Sequence, residues 1–328
     1  MDKHQDTEFG IVAIGRNEGE RLKRCLRSLP VSARVIYVDS GSTDGSEISA
    51  RDFGAEVVHL DISTRFTAAR ARNAGFRRLT ELAPQITCVQ FIDGDCEMAN
   101  EWPAAAIAFL QDHADVGAVF GRRREKNPDR SIYNRLCDWE WDGPVGEARA
   151  CGGDVMIRAA PLQAAGGYRE SLIAGEEPEL CVRLRAAGWR IWRLNAEMTM
   201  HDAGMTRFSQ WWKRNMRSGY AFAEGAHLHG APPERHWVWE ARRAWIWGIW
   251  LPILCVAAGL IFQPWGWISW GLYPLQMLRQ TFRGTGEFRE RATKSFFQVL
   301  GRFPEGWGQI QFTRDRLLNR GSPLIEYK

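Results

Sequence analysis

No tryptophan occurs in the first 101 of the 328 residues, although the chain holds 16 and places eight of them between Trp237 and Trp270. Such an uneven supply of one side chain points to two regions in different solvents. Cysteine is present seven times, yet no two stand in a CxxC pair or at a zinc-ligand spacing. A scattered, odd set of that kind reads as free thiols in a reducing compartment. Charge of one sign is not in excess: 43 basic residues face 39 acidic ones for a net +4. That balance is too mild to imply a nucleic-acid partner. No GxGxxG follows the first apolar run, which counts against a dinucleotide dehydrogenase. Met1 to Glu8 is polar and carries no signal peptide, so the first domain is expected in the cytoplasm. What remains is ordinary globular material, 45% hydrophobic and 25% charged. The length suits one large domain with an appendage.

The first two hundred residues alternate strand and helix signals. Phe9 to Ile14, Val35 to Val38, Ala55 to Leu60 and Thr87 to Ile92 are short apolar runs typical of buried strands. Between them, Leu22, Cys25, Leu26 and Leu29 share one helical face, and Phe66 to Leu82 reads as a helix. Ser42 or Thr43 is placed to cap the helix after the second strand. This alternation predicts an α/β fold with a mostly parallel sheet flanked by helices, with ligands at the carboxyl ends of its strands. Further on, Val116 to Phe120, Asp154 to Ile157 and Trp189 to Leu194 look like strands. Glu176 to Ala187 and Thr206 to Glu224 look like helices.

Ala244 to Leu278 contains no charge over 35 residues. As one helix it would run about 50 Å, too long for a hydrocarbon core of about 30 Å. Gln263-Pro264-Trp265-Gly266 is a turn signal that splits it into two legs. Both flanks are basic, with seven Lys or Arg from Arg207 to Arg243 and ten from Arg279 to Lys328. The positive-inside rule then puts both flanks on the cytoplasmic side, as a thin transmembrane hairpin or a re-entrant pair. The segment from Thr293 to Leu318 sets Phe296, Phe297, Leu300, Phe303 and Trp307 among basic residues, for a membrane surface or for packing on the first domain.

Asp93-Gly94-Asp95 ends an apolar strand. Two carboxylates so placed can offer oxygens to Mg2+ or Mn2+, which would bridge to a diphosphate. Three other stretches accompany it in order: Ile11 to Glu18, Val38-Asp39-Ser40-Gly41-Ser42-Thr43-Asp44-Gly45, and Ala71-Arg72-Asn73-Ala74-Gly75. Together they resemble the GT-A glycosyltransferases of the family 2 type, over roughly Phe9 to Arg214. The resemblance implies that Asp39 and Ser40 contact base and ribose, that Arg72 lies near the nucleotide, and that Asp93 and Asp95 serve the metal and diphosphate.

The resemblance also places a catalytic base in Gly175-Glu176-Glu177-Pro178-Glu179-Leu180. Glu177 stands where the family usually has Asp, and its carboxylate can take the proton of an attacking hydroxyl. Glu176 and Glu179 are either partners in that role or helix-start carboxylates held by the macrodipole. Gly152 and Gly153 resemble an acceptor-side glycine turn. Asp154 fits either a donor-sugar hydroxyl or a turn cap. The family pattern offers His201 as a further metal ligand, against a surface or core histidine. Gln210-Trp211-Trp212-Lys213-Arg214 is similar to a QxxRW motif with a departed ending. It would give Gln210 and Trp211 to the acceptor and Arg214 to the diphosphate, or else form an amphipathic helix with its Trp buried. Trp139, Glu140 and Trp141 are acceptor-loop candidates.

The expected organisation is a GT-A domain over residues 1–235, a hydrophobic transmembrane or re-entrant helical hairpin over 236–279, and a basic cytoplasmic tail over 280–328. The expected activity is an inverting, metal-dependent hexosyl transfer at the cytoplasmic face of the inner membrane. The donor would be a nucleotide-diphosphate sugar, UDP-linked by expectation. The acceptor would be a lipid-linked or other saccharide for surface polysaccharide. A noncatalytic nucleotide-sugar-binding membrane module is the alternative.

Overall fold

The computed structural model describes residues 9–61 and 63–319. The chain divides into two compact units, one ending at Thr206 and the next starting at Arg207, ahead of the boundary expected at 235.

The first unit is built on a nine-stranded sheet. In chain order it runs β1 (Phe9–Gly15), α1 (Glu20–Arg27), β2 (Arg34–Asp39), α2 (Ser46–Phe53), β3 (Glu56–His59), α3 (Ala68–Leu82), β4 (Cys88–Asp93), β5 (Cys96–Met98) and α4 (Trp102–Asp112). Then come β6 (Val116–Glu125), α5 (Ile132–Glu140), β7 (Gly146–Ala148), β8 (Val155–Arg158), α6 (Ala159–Ala164), α7 (Glu176–Ala186) and β9 (Arg190–His201). The strands β3, β2, β1 and β4 pair in parallel in that order, as the alternating pattern predicts. Ile11, Val12 and Ala13 are fully buried, since helices cover both faces of this half. The other half is mixed. There β8 runs antiparallel between β4 and β6, β9 is parallel to β6, and β5 and β7 pair antiparallel with β9.

Helix α3 lies unusually close to the sheet. A Cβ on Gly75 would stand 2.3 Å from Val12 Cγ1 and 2.9 Å from Val38 Cγ2, so only glycine allows this approach. Thr67 caps the helix by accepting from Arg70 N. The Asn73 amide accepts from Tyr168 N and donates to Tyr168 O, both at 2.8 Å, which ties α3 to the loop before α7.

Several expectations need correction. Neither Ser42 nor Thr43 caps α2, whose N-cap is Gly45 in the left-handed region. Ser42 Oγ accepts from Asn17 N instead, and Thr43 N donates to Asn17 Oδ1. Trp139 and Glu140 lie on α5 and Trp141 caps its end, so they form no loop. Both β6 and β9 are longer than their apolar cores. Their polar ends pair with each other, Arg122 opposite Glu197 and Glu125 opposite His201, across register shifts that mark bulges. Charge hid these strand ends, because partly buried strands are sought as apolar runs.

In the second unit, α8 (Phe208–His229) is followed by α9 (Val238–Trp245), a π-helical turn (Ile246–Trp250) and α10 (Leu251–Ile261). A 3-10 helix (Trp265–Gly271), α11 (Leu272–Arg283), α12 (Phe288–Leu300) and α13 (Arg302–Leu317) complete it. The stretch Val238–Ile261 is continuous over 24 residues and holds an 18-residue window of mean hydropathy 2.0. The return leg closes on it. A Cβ on Gly259 would meet Trp267 at 2.5 Å, and Tyr273 Oη donates to Trp247 O at 2.7 Å. The segment expected as a basic tail is helical through Leu317, and α13 packs on α8. Gln309 donates to Gly219 O at 2.9 Å, and glycines at 219 and 308 allow the helices to touch. Residues 320–328 of that segment lie outside the described residues.

Candidate active site

The turns after β1, β2 and β4 share one edge of the sheet. After β2, the Asp39 carboxylate accepts from Gly41 N at 3.0 Å and Ser42 N at 2.8 Å, so the turn folds around its own aspartate. Ser40 N donates to Gly15 O, joining this turn to the end of β1. Gly94 N donates to Ile14 O and joins the β4 turn to the same strand.

Arg72 organises the centre. Its side chain is 3% exposed and its two terminal nitrogens meet three carboxylates: Glu177 at 2.9 Å, Glu176 at 3.0 Å and Asp93 at 3.0 Å. Burial by itself would lower the pKa of this guanidinium, but Glu177, Asp93 and Glu176 together hold it well above its ordinary value. Gly153 makes the arrangement possible, since a Cβ there would stand 2.4 Å from Arg72 Nη2 and 3.1 Å from Asp93 Oδ2.

Glu177 keeps 14% of its side chain exposed. Burial, then the neighbouring Glu176 charge, raise its pKa to about 7 against the pull of Arg72. A carboxylate poised there is matched to proton transfer at neutral pH. Glu179 is held differently, by Arg183 at 2.7 Å and Arg169 at 3.2 Å, and these bonds are structural.

A second cation, absent from the sequence expectations, is Arg123 on β6. Its Nη2 lies 3.4 Å from Asp93 Oδ2 and its Nε 3.5 Å from Asp154 Oδ2. Trp141 stacks under its guanidinium at 4.9 Å. Asp154, considered for the donor sugar, has a fully buried side chain. Its Oδ1 accepts from Asp93 N at 2.9 Å and its Oδ2 accepts from Thr199 Oγ1 at 2.7 Å. With both oxygens engaged, it positions Asp93 and Arg123.

The expected metal set divides. Asp95 Oδ2 lies 3.3 Å from His201 Nε2. Adjacent ligands of an octahedral cation at 2.0–2.1 Å stand about 3 Å apart, so these two atoms fit one divalent ion. Asp93 is not in that grouping of Asp95, Cys96 and His201, but among the described residues it falls in a second one with Cys96 and Asp154. The guanidiniums of Arg72 and Arg123 also reach the Asp93 carboxylate. Cys96 is a poor ligand for a hard cation, and burial raises its thiol pKa well above the usual value. Burial, then Arg123, lower the pKa of His201 and leave a neutral imidazole able to ligate. His201 Nδ1 is buried without a hydrogen bond, 3.7 Å from Glu125 Oε2. Glu125 is held by Asn134 Nδ2 and Ala203 N. Metal-bound histidines turn that second nitrogen to a carboxylate, a backbone carbonyl or water, and Glu125 is such a carboxylate. His201 ends β9 opposite Cys96 of β5, inside the strand and not in a loop after it.

Gln210, Trp211 and Arg214 belong to the second unit. Gln210 Oε1 accepts from Arg207 N at 3.0 Å and closes the start of α8. Trp211 is 4% exposed and packs edge-on against Phe297, so its ring offers no open sugar platform. Arg214 lies one turn further on α8, where its carbonyl accepts from Ser218 Oγ.

The model of glycosyl transferase family 2 matches residues 11–163. An uncharacterized glycosyltransferase of Mycobacterium tuberculosis is 31% identical over 208 residues, which cover 59% of this chain and 86% of that protein. The chain belongs to glycosyltransferase family 2. The succinoglycan biosynthesis protein ExoA of Rhizobium meliloti is 28% identical over 207 residues, 58% of this chain and 62% of ExoA's own length. Among solved structures, the mannosyltransferase PcManGT from Pyrobaculum calidifontis, in complex with GDP-Man and Mn2+, superposes with a TM-score of 0.61 at 18% identity, over 91% of this chain and 86% of that one. TarS 1–349 of S. aureus does so at 0.52 and 14%, over 91% and 92%. At such identities these likenesses establish the GT-A fold of this family 2 chain.

Proposed function

We propose that the chain transfers a sugar from a nucleotide-diphosphate donor to a hydroxyl acceptor, with Glu177 as the base. The carrying observation is a glutamate with a pKa of about 7 beside the Arg72 guanidinium, at the carboxyl edge of the sheet. Glu177 removes the acceptor proton as the hydroxyl attacks the anomeric carbon, and a single such displacement inverts that centre. Asp95 and His201 would hold Mg2+ or Mn2+, which supplies charge stabilisation to the departing diphosphate. Arg123, already among the Asp93 and Asp154 carboxylates, adds fixed positive charge near the same turn. The turns at Asp39–Ser40 and Asn17 are the proposed seat of the base and ribose. A UDP-linked donor remains the proposal. A structure of TarS 1–349 holds UDP, and PcManGT holds GDP-Man with Mn2+.

The second unit is the proposed membrane anchor. Of the 18-residue apolar window in Val238–Ile261, only 22% is buried within the chain. Leu254, Leu260, Ile261, Phe262 and Trp265 are between 61% and 75% exposed. Contiguous apolar exposure on this scale calls for lipid. From Trp247, level with Tyr273 on the return leg, to Gln263 the helical rise is about 24 Å, short of the ~30 Å core. That favours a re-entrant dip from the cytoplasmic face over a crossing. An acceptor carried on lipid, a saccharide for surface polysaccharide, follows from that location. ExoA, by its name a succinoglycan biosynthesis protein, supports it.

The test is nucleotide release from a panel of donors, with membrane lipid extract as acceptor, with and without EDTA. Release from a UDP-sugar that EDTA abolishes is expected. Equal release in EDTA removes the metal role of Asp95 and His201. Full activity in Glu177→Gln removes the base.

A further inference from the structure

Two thiols that the transfer chemistry does not use meet beside it. Cys151 immediately precedes the Gly152–Gly153 turn, and Cys181 lies one helical turn after Glu177 on α7. Their sulfurs are 3.5 Å apart. Cys151 keeps 8% of its surface exposed and Cys181 none. The segments that carry them are those that hold Gly153 against Arg72 and Glu177 against the same guanidinium. The hydrogen bond the two sulfurs share holds the Cys181 thiol below its ordinary pKa, and that bond and burial push Cys151 up. Of the two, Cys181 is the readier nucleophile.

We propose that Cys151 and Cys181 are a peroxide-responsive dithiol whose closure to a disulfide slows sugar transfer. The Cys181 thiolate attacks one oxygen of hydrogen peroxide. The O–O bond breaks, and the hydroxide that leaves takes up the proton Cys181 had released. The product at Cys181 is a sulfenic acid. The Cys151 sulfur then attacks the sulfenic sulfur, its S–H proton leaves with the hydroxyl as a second water, and the S–S bond forms. Two thiols lose two hydrogens and one peroxide becomes two waters. A disulfide is about 2.05 Å long, so the sulfurs must close by more than about 1 Å. That contraction draws the chain before Gly152 towards α7. Gly153 has no spare room there, so the movement displaces Arg72 from Glu177 or Asp93.

The effect on rate rests on the transferase reading above; bond formation does not. The experiment treats the full chain with hydrogen peroxide, blocks free thiols with iodoacetamide, and maps peptides by mass spectrometry without reduction. A peptide pair linking Cys151 to Cys181 is expected, with donor turnover reduced roughly tenfold or more, the scale of a small displacement at a reacting site. Dithiothreitol reverses both. Cys151→Ser and Cys181→Ser abolish the link and keep their turnover in peroxide. Cys151→Ala stands in for serine if a buried hydroxyl unfolds the chain. Both thiols fully alkylated after peroxide overturns the proposal. So does a link with unchanged turnover, or a loss of turnover that persists in Cys151→Ala. If the reduced chain turns over no donor, the transferase reading fails while the peptide map still decides the link.

Discussion

Glu177 Oε1 stands 2.9 Å from Arg72 Nη1, a nitrogen that also reaches Glu176 at 3.0 Å. One buried guanidinium thus divides its charge among three carboxylates, with Asp93 as the third. No one of them receives a whole counter-charge. For Glu177, burial and then the Glu176 charge overcome Arg72 and raise its pKa to about 7.

Glu177 works as a base only when ionised, so turnover should rise with pH through a pKa of about 7. The acid side of the pH profile should climb with unit slope, and Glu177→Gln should remove that limb. The substitution should lower kcat by about 10²–10⁴ and leave donor KM nearly unchanged. Nucleotide release at saturating donor measures both.

Removing Arg72 leaves buried carboxylates without their cation. Arg72→Met should reduce unfolding free energy by about 3–5 kcal/mol, the scale for breaking a buried ion pair. Arg72→Lys should recover only part, because an ammonium cannot span three acceptors in the guanidinium's planar fork. Urea unfolding of the three proteins distinguishes these outcomes.

Asp95→Asn and His201→Ala should each weaken Mn2+ binding by at least the 10–100-fold typical of losing a supporting group at a metal. Glu125→Gln should have a smaller effect, acting through the imidazole. Titration of Mn2+ followed by electron paramagnetic resonance reads all three without turnover.

Gly153→Ala would put a methyl 2.4 Å from Arg72 Nη2. The guanidinium cannot retreat without leaving a carboxylate, so destabilisation of about 1–3 kcal/mol is expected, together with lost turnover. Gly152→Ala is the control, since nothing lies within 4 Å of its added Cβ.

Leu254 and Leu260 are 61% and 62% exposed on α10. Replacing both by Glu should release the chain from vesicles of anionic phospholipid in a flotation assay. Thermal stability should stay unchanged, since neither side chain is packed. Retention on the vesicles would refute lipid contact through this hairpin.

What could be read in the sequence was whatever an apolar strand delivers to its end. The positions of Asp39, Arg72, Asp93 and Asp95 were legible because a buried run or a helix start locates each of them, while their roles came from the family resemblance. Arg123, Glu125 and Thr199 were not. They sit on the polar ends of β6 and β9, where strand pairing satisfies charge with charge and leaves no hydrophobic trace. The series Arg122-Arg123-Arg124-Glu125 was the available signal, three cations continuing an apolar strand. Trp211 shows the opposite limit. Its motif left an acceptor contact and a buried Trp both open, and Phe297, distant in the chain and without a local signature, covers the ring.

The close seat of α3 on β1 and β2 has a further reach. Gly75 lies three residues beyond Arg72 and touches Val12 and Val38. The height at which the guanidinium hangs over its carboxylates is therefore set by hydrocarbon on the sheet. A methyl group gained at residue 75, or lost at Val12, would tilt the helix and retune the acidity of Glu177 without altering any charged residue.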